Sequence, residues 1–369
     1  IEQLFNDVQS TLGYQLNVDL QAQIITLANG ETISFEIDEF KKHIYTIPEK
    51  PDLIPFVASY YKRQWGICMS QNTLDSLEDG LYKIVIDCTL SSGFLTYGEV
   101  VVKGNSDKEI FLSTYTCHPS LANDNLSGVV VTSELVEYII SLKEREYTYR
   151  IIFIPETIGA LVYMSKNLPV MKKNILAGYT VTCVGDPGGY SYLMSKKTNE
   201  YVDKVTMHVL KNLDKEYRVY DYQSRGSDER QYSSPGADIP IGSLMKSKYH
   251  EYMEYHTSAD NLSYVTAEGL GESIDAYKLC IDVYENNKHY IVNVIGEAQL
   301  SSRDLYPTTF QSKQSFDVNK IVDFMAYADG TMDLIDISDK IGVPIWDLYD
   351  VILILISHEL ISEVKPSYE

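Results

Sequence analysis

Long apolar runs are missing from this 369-residue chain. No stretch of about 18 residues stays free of charge, so no segment reads as a membrane-spanning helix. Basic residues are scarce: 31 Lys and Arg face 52 Asp and Glu, a formal charge of -21. Phosphate backbones and anionic lipid surfaces are bound through clustered Lys and Arg, so nucleic acid and membrane are disfavoured as partners. Small uncharged or cationic partners are expected instead. The five cysteines, Cys68, Cys88, Cys117, Cys183 and Cys280, are scattered, odd in number and never in a Cys-x-x-Cys pair. Neither a disulfide framework nor a zinc knuckle follows, and a reducing cytoplasm is the expected compartment. Low-complexity tracts and a secretory leader pattern are also lacking.

What is present suits a folded protein of two or three domains: 44% hydrophobic residues and thirty tyrosines, which commonly fill half-buried positions. Ile1 to Leu12 reads as an amphipathic helix stopped by Gly13. From Asn17 to about Tyr97 the pattern is strand-like, with Ala22 to Leu27, a turn at Leu27-Ala-Asn-Gly30, Thr32 to Asp38, Tyr82 to Cys88 and Leu95 to Lys103. A small β-rich unit over 17–104 is expected, inserted between the first helix (1–16) and a larger domain over 105–289.

In that domain the rhythm becomes strand, loop, helix, strand: Ile110 to Leu112, a helix Leu126 to Leu142, and a strand Arg150 to Glu156. This is a βαβ unit and implies a parallel sheet. A helix Ile158 to Asn167, a strand Ala177 to Val184, a helix Glu200 to Leu210, a strand Ile239 to Leu244 and a helix Thr266 to Val283 extend it. The fold class is therefore α/β, a mixed and mainly parallel sheet flanked by helices. The tail over 290–369 has helical patterns at Asn319 to Tyr327, Leu334 to Ile341 and Pro344 to Leu360, the last two joined by Gly342-Val343-Pro344 as in a winged helix. After Tyr290 there are five Lys or Arg against thirteen Asp or Glu, so a protein-contact or dimerisation role is expected in place of DNA binding.

Functional sites on such sheets lie at the carboxyl ends of the strands. His118 follows the first strand and Asp124 precedes Asn125-Leu-Ser-Gly128; imidazole and carboxylate both suit zinc, although His-x5-Asp alone is a weak signal. Glu156 lies at the end of the neighbouring strand, where it is either a helix N-terminal acid favoured by the macrodipole or the general base for a metal-bound water. His256 brings a second imidazole, in Tyr255-His256-Thr-Ser-Ala-Asp260. His43, His208, His250, His289 and His358 lack a strand-end acid and are read as structural.

Taken together, Cys117-His118, Asn123-Asp124-Asn-Leu-Ser-Gly128, Pro155-Glu156-Thr-Ile-Gly159, Gly226-Ser227-Asp228 with Gly236-Ala-Asp-Ile-Pro240, and Tyr255-His256-Thr-Ser-Ala-Asp260 resemble the signature of the zinc-dependent aminopeptidase family. That family also includes glutaminyl cyclases and transferrin-receptor-like domains. The β insertion and winged-helix tail resemble a bacterial subgroup of unassigned substrate, often linked with polysaccharide-biosynthesis loci. The resemblance implies His118 as a ligand of a first metal, Asp124 as the bridging carboxylate, His256 as a ligand of a second metal and Glu156 as the general base. It also marks two departures. Thr157 stands where the family has a second, metal-binding glutamate, and about Thr182 where it has a further aspartate. One zinc held by His118, Asp124 and His256 is the favoured count, with two the alternative if Asp186 or Glu254 supplies a ligand.

The leading expectation is a zinc aminopeptidase-like hydrolase of a small peptide or amide, with Tyr255 or a backbone amide near Gly188 stabilising the oxyanion. Asp228 and the Arg225-Gly-Ser loop are expected to face substrate. The competing readings are a deacylase acting on an acylated amino sugar or its precursor, and a non-catalytic binding protein for which Thr157 is the motive. A homo-oligomer is compatible with either.

Overall fold

The structure, a computed structural model, describes residues 15–19, 24–27, 30–34, 43–57, 64–78, 81–87, 89, 91–303, 305 and 318–365. The helix expected over Ile1 to Leu12 lies outside them. In chain order the strands are β1 Gln15–Asp19, β2 Ile24–Thr26, β3 Thr32–Ser34, β4 Ile44–Tyr45, β5 Ile67–Cys68, β6 Leu81–Val85, β7 Gly98–Val102, β8 Glu109–Tyr115, β9 Thr148–Ile154, β10 Ile175–Thr180, β11 Tyr190–Leu193, β12 Tyr217–Tyr220, β13 Ile241–Met245, β14 His289–Val292, β15 Asp329–Asp333 and β16 Ile361–Val364. The principal helices are α1 Ser127–Ser141, α2 Ile158–Asn174, α3 Tyr201–Asn212, α4 Ala267–Asn286, α5 Val318–Tyr327, α6 Leu334–Ile341 and α7 Tyr349–Ser357.

The main body is a seven-stranded sheet of order β12-β11-β13-β10-β8-β9-β7. Its centre, β13-β10-β8-β9, is parallel, while β7 on β9 and β11 on β13 run antiparallel. The sheet is thus mixed and mainly parallel. Along β8 every residue is buried because both faces are covered. Ile110 and Leu112 point to the face packed by α1, α3 and α4, and Phe111 to the face covered by α2 and Tyr232. The same alternation in β9 sends Tyr149 and Ile151 one way and Ile152 and Ile154 the other. Helix α1 meets the sheet with Val131, Leu135 and Ile139, one stripe of helical period.

One assignment is corrected. The strand read as part of the inserted β unit, Leu95 to Lys103, is β7, and it pairs with β9 from Gly98 opposite Phe153 to Val102 opposite Tyr149. Its apolar alternation does not say which sheet it joins. The small sheet, order β3-β2-β1-β6, retains the other expected strands. Two edges also move. Helix α2 runs to Asn174 with Pro169 inside it, and the pattern from Pro344 to Leu360 divides into a 3-10 turn Ile345–Leu348, α7 and the strand β16.

The tail is a winged helix. Its three-stranded sheet β15-β14-β16 and helices α5 to α7 share one continuous core with the main domain. Helix α3 forms the joint, with Lys204 on Asp333 and Asp336 and His208 on Asp339. No described helix is long and apolar enough to cross a membrane.

Candidate metal centre

The carboxyl ends of the parallel strands meet at one edge of the sheet, and each delivers a polar residue there: His118 after β8, Glu156 after β9, Thr182 after β10, and His256 in the long loop after β13. Asp124 arrives on the tight turn Ala122–Leu126 that opens α1. Gly128 permits this, because a Cβ there would come within 2.5 Å of the Val181 carbonyl. Asn125 pins the turn with Nδ2, donating to Thr114 Oγ1 at 2.9 Å.

The donor atoms of His118, Asp124 and His256 lie within 4.8 Å of one another. His256 Nε2 is 3.0 Å from Asp124 Oδ2, yet neither atom has a hydrogen-bond partner, and both are buried. Buried polar atoms almost always find partners, so two orphans facing each other mark a place for a ligand. Two imidazoles and one carboxylate form a donor set suited to zinc with a position left open. His118 Nδ1 is 3.3 Å from Cys117 Sγ, and Nε2 lies 3.8 Å from Glu156 Oε2.

Glu156 is oriented by its surroundings. Ser227 Oγ donates to its Oε1 at 2.9 Å, leaving Oε2 toward His118. Burial, opposed by the Ser227 bond and reinforced by the charge of Asp124, pushes its carboxyl up to about 7. Burial likewise lowers His118 and holds Cys117 as a thiol, pushed up to about 11.

Several sequence expectations change. Thr157 has φ 60°, and its hydroxyl accepts from Arg230 Nη2 at 3.0 Å. Asp186 is fully buried, and both its oxygens are occupied: Oδ1 by Gly188 N–H and Ser247 Oγ, Oδ2 by Asn123 Nδ2 and Ser247 N–H. It is a strut for the Asp124 turn and supplies no free ligand atom, and the Gly188 amide is spent on it. Glu254 is not in either group of described residues whose donor atoms converge. Asp228 is fully buried, with Oδ1 accepting Thr157 N–H at 2.7 Å and Oδ2 without a hydrogen-bond partner. Tyr255 stacks on His256 with ring centroids 4.0 Å apart, which aligns the imidazole.

Three residues at the site had no role from sequence. Asp260 accepts the amides of Asn123 and Asp124 at 2.5 and 3.0 Å, tying the His256 loop to the Asp124 turn. It sat inside a quoted motif, the one available signal. Phe56 lies between β4 and β5, where Ile54 to Phe56 runs along the His256 loop: Phe56 N–H donates to His256 O at 2.8 Å and Ser258 N–H to Ile54 O at 2.9 Å. Its ring stands 5.2 Å from both His118 and His256, a placement invisible in local pattern. Tyr115 closes β8, buried, with its hydroxyl on Asp124.

Residues 6–287 match the family described as a domain of unknown function, DUF4910, and residues 288–363 match a winged helix-turn-helix. A Clostridium acetobutylicum protein named for polysaccharide biosynthesis and an aminopeptidase-like domain is 43% identical over 309 residues, covering 83% of this chain and 70% of that protein. A crystal structure from Clostridium acetobutylicum, provisionally described as a peptidase, superposes with a TM-score of 0.83 at 36% identity, over 96% of this chain and 83% of that one. A zinc aminopeptidase of Bacillus subtilis gives a TM-score of 0.47 at 14% identity, over 65% of this chain and 62% of that one. The chain belongs to the DUF4910 family, with a winged helix-turn-helix following the family domain.

Proposed function

We propose that this protein is a zinc-dependent amide hydrolase of aminopeptidase-like type, with one ion held by His118, Asp124 and His256 and with Glu156 as general base. The observation that carries the reading is the pair of orphaned, buried ligand atoms, His256 Nε2 and Asp124 Oδ2, converging with His118 beside a carboxyl of raised pKa. Zinc bound there supplies Lewis acidity that brings the pKa of water toward neutrality and polarises a carbonyl oxygen. Glu156, with one oxygen anchored by Ser227, takes the proton of the attacking water on Oε2 and returns it to the departing amine nitrogen. Phe56 and Tyr255 cover the imidazoles and limit the access of bulk water.

The substrate class is a small peptide or related amide, in keeping with the aminopeptidase-like domain in the Clostridium relative's name. The same name supports a second reading, a deacylase of an acylated amino sugar or precursor, since the same attack cleaves either amide. Metal analysis followed by paired panels of aminoacyl-anilides and N-acylated amino sugars tests both, with Glu156→Gln as control. A protein that takes up no divalent metal sinks both hydrolase readings and leaves a binding role.

We further propose that the winged helix is a protein-contact module. In DNA-reading relatives of this motif the N-terminal end of the second helix meets base edges. Here that end, Ile345–Leu348, is turned onto α3: Ile345 N–H donates to His208 Nε2 at 3.0 Å, and Ile345 and Leu348 are fully buried. DNA binding at physiological salt, measured by fluorescence anisotropy, is the result that overturns this.

A further inference from the structure

Tyr115 is 3% exposed, and its ring lies 5.0 Å from that of His118. Its hydroxyl donates to Asp124 Oδ1, and the same oxygen is 2.7 Å from Thr182 Oγ1. A phenol has a single proton, which goes to the carboxylate, so Tyr115 accepts in the second contact, from a Thr182 hydroxyl whose proton also reaches Cys183 Sγ at 3.4 Å. The two oxygens of Asp124 are thereby divided. Oδ1 is capped from within the protein, and Oδ2 faces His256 with no hydrogen-bond partner.

We propose that Tyr115, held by Thr182, is a positioning residue that restricts Asp124 to one metal bond and so limits the centre to a single ion. The inference rests on the reading of His118, Asp124 and His256 as zinc ligands. The usual bridging mode of a carboxylate places one ion on each oxygen; the Tyr115 bond takes one lone pair of Oδ1 and competes with a second ion there, while Oδ2 stays open. The other convergent group among the described residues, Cys117, His118 and Glu156, shares His118 with the first. In it the Cys117 sulfur already accepts Glu156 N–H at 3.2 Å and Ser227 holds one Glu156 oxygen.

The test compares the full chain with Tyr115→Phe and Thr182→Val, each loaded with zinc, dialysed and analysed for metal per chain, and each loaded with cobalt for visible absorption. The wild type is expected to hold about one zinc per chain with an intense four-coordinate cobalt band. Tyr115→Phe frees Oδ1, so zinc per chain rises above one, or the cobalt band loses intensity as Asp124 becomes bidentate. Thr182→Val loosens the tyrosine without removing it, giving a smaller change in the same direction and preserving the test should Tyr115→Phe not fold. Identical stoichiometry and spectra in all three proteins overturn the inference and leave the zinc reading standing, as do two zinc ions per wild-type chain. A wild type that binds neither metal overturns both.

Discussion

Two histidine neighbourhoods in this molecule use one side chain in opposite ways. His208, on α3, is satisfied at both nitrogens: Nε2 accepts Ile345 N–H at 3.0 Å, and Nδ1 meets Asp339 Oδ1 at 3.1 Å. His256 Nε2 has no hydrogen-bond partner and lies in ion-pair range, 3.0 Å, of an Asp124 Oδ2 that has none either. The first site is complete as it stands, and its job is to hold the winged helix against the main domain. The second is held in an arrangement that protein atoms alone leave unsatisfied, with Asp260, Asn125 and Tyr255 fixing its loops. Completeness of hydrogen bonding separates a structural histidine from a candidate ligand better than burial does.

The sharpest way to break this contrast is at the ligands. His256→Ala or Asp124→Ala is expected to weaken zinc binding by more than about 100-fold, beyond what loss of a mere supporting contact does, as read by chelator competition. The zinc-dependent rise in melting temperature disappears with it. Next in size, Glu156→Gln is expected to retain zinc while hydrolysis falls by about 10²-fold or more, since only the proton acceptor is lost; unchanged turnover removes Glu156 from the mechanism. On the other side of the comparison, His208→Ala leaves the buried Ile345 N–H without its acceptor. A stability cost of about 1–3 kcal/mol in urea denaturation, with zinc affinity unchanged, is expected. The smallest effect concerns pH. Burial lowers the pKa of His208, so the unfolded chain binds its proton more readily than the folded one. Its contribution to stability is complete above about 6.5, the ordinary histidine value, and is lost as pH falls below it. His208→Gln is expected to flatten that part of the stability profile relative to wild type.

Much of the fold was legible because its signals are local. The fully apolar β8 and the stripe Val131, Leu135, Ile139 on α1 state their own periods. The residues gathered at the sheet edge were legible too, as strand-end polar residues beside a family resemblance. The strand β7 was assigned to the wrong sheet because its alternation fits either one, and only its pairing with β9 decides. Asp186 shows the same limit at the site. As a carboxylate near a strand end it resembled a spare ligand, but four donors from Gly188, Ser247 and Asn123 consume it.

The sequence by itself determined the strand-helix-strand rhythm of the main sheet, the net acidic charge, the winged-helix tail, and that His118, Asp124, Glu156 and His256 are polar residues lying near strand ends. These follow from side-chain period and residue type, which are properties of neighbours along the chain. Tertiary structure decided which of their atoms are free. Phe56 stands beside the imidazoles from a segment distant in sequence, Tyr115 bonds one oxygen of Asp124 and contacts Thr182, and His208 spends both nitrogens on the winged helix. Partnering of buried polar atoms depends on what the fold brings within about 3 Å, a relation between residues far apart in the chain that no local pattern encodes.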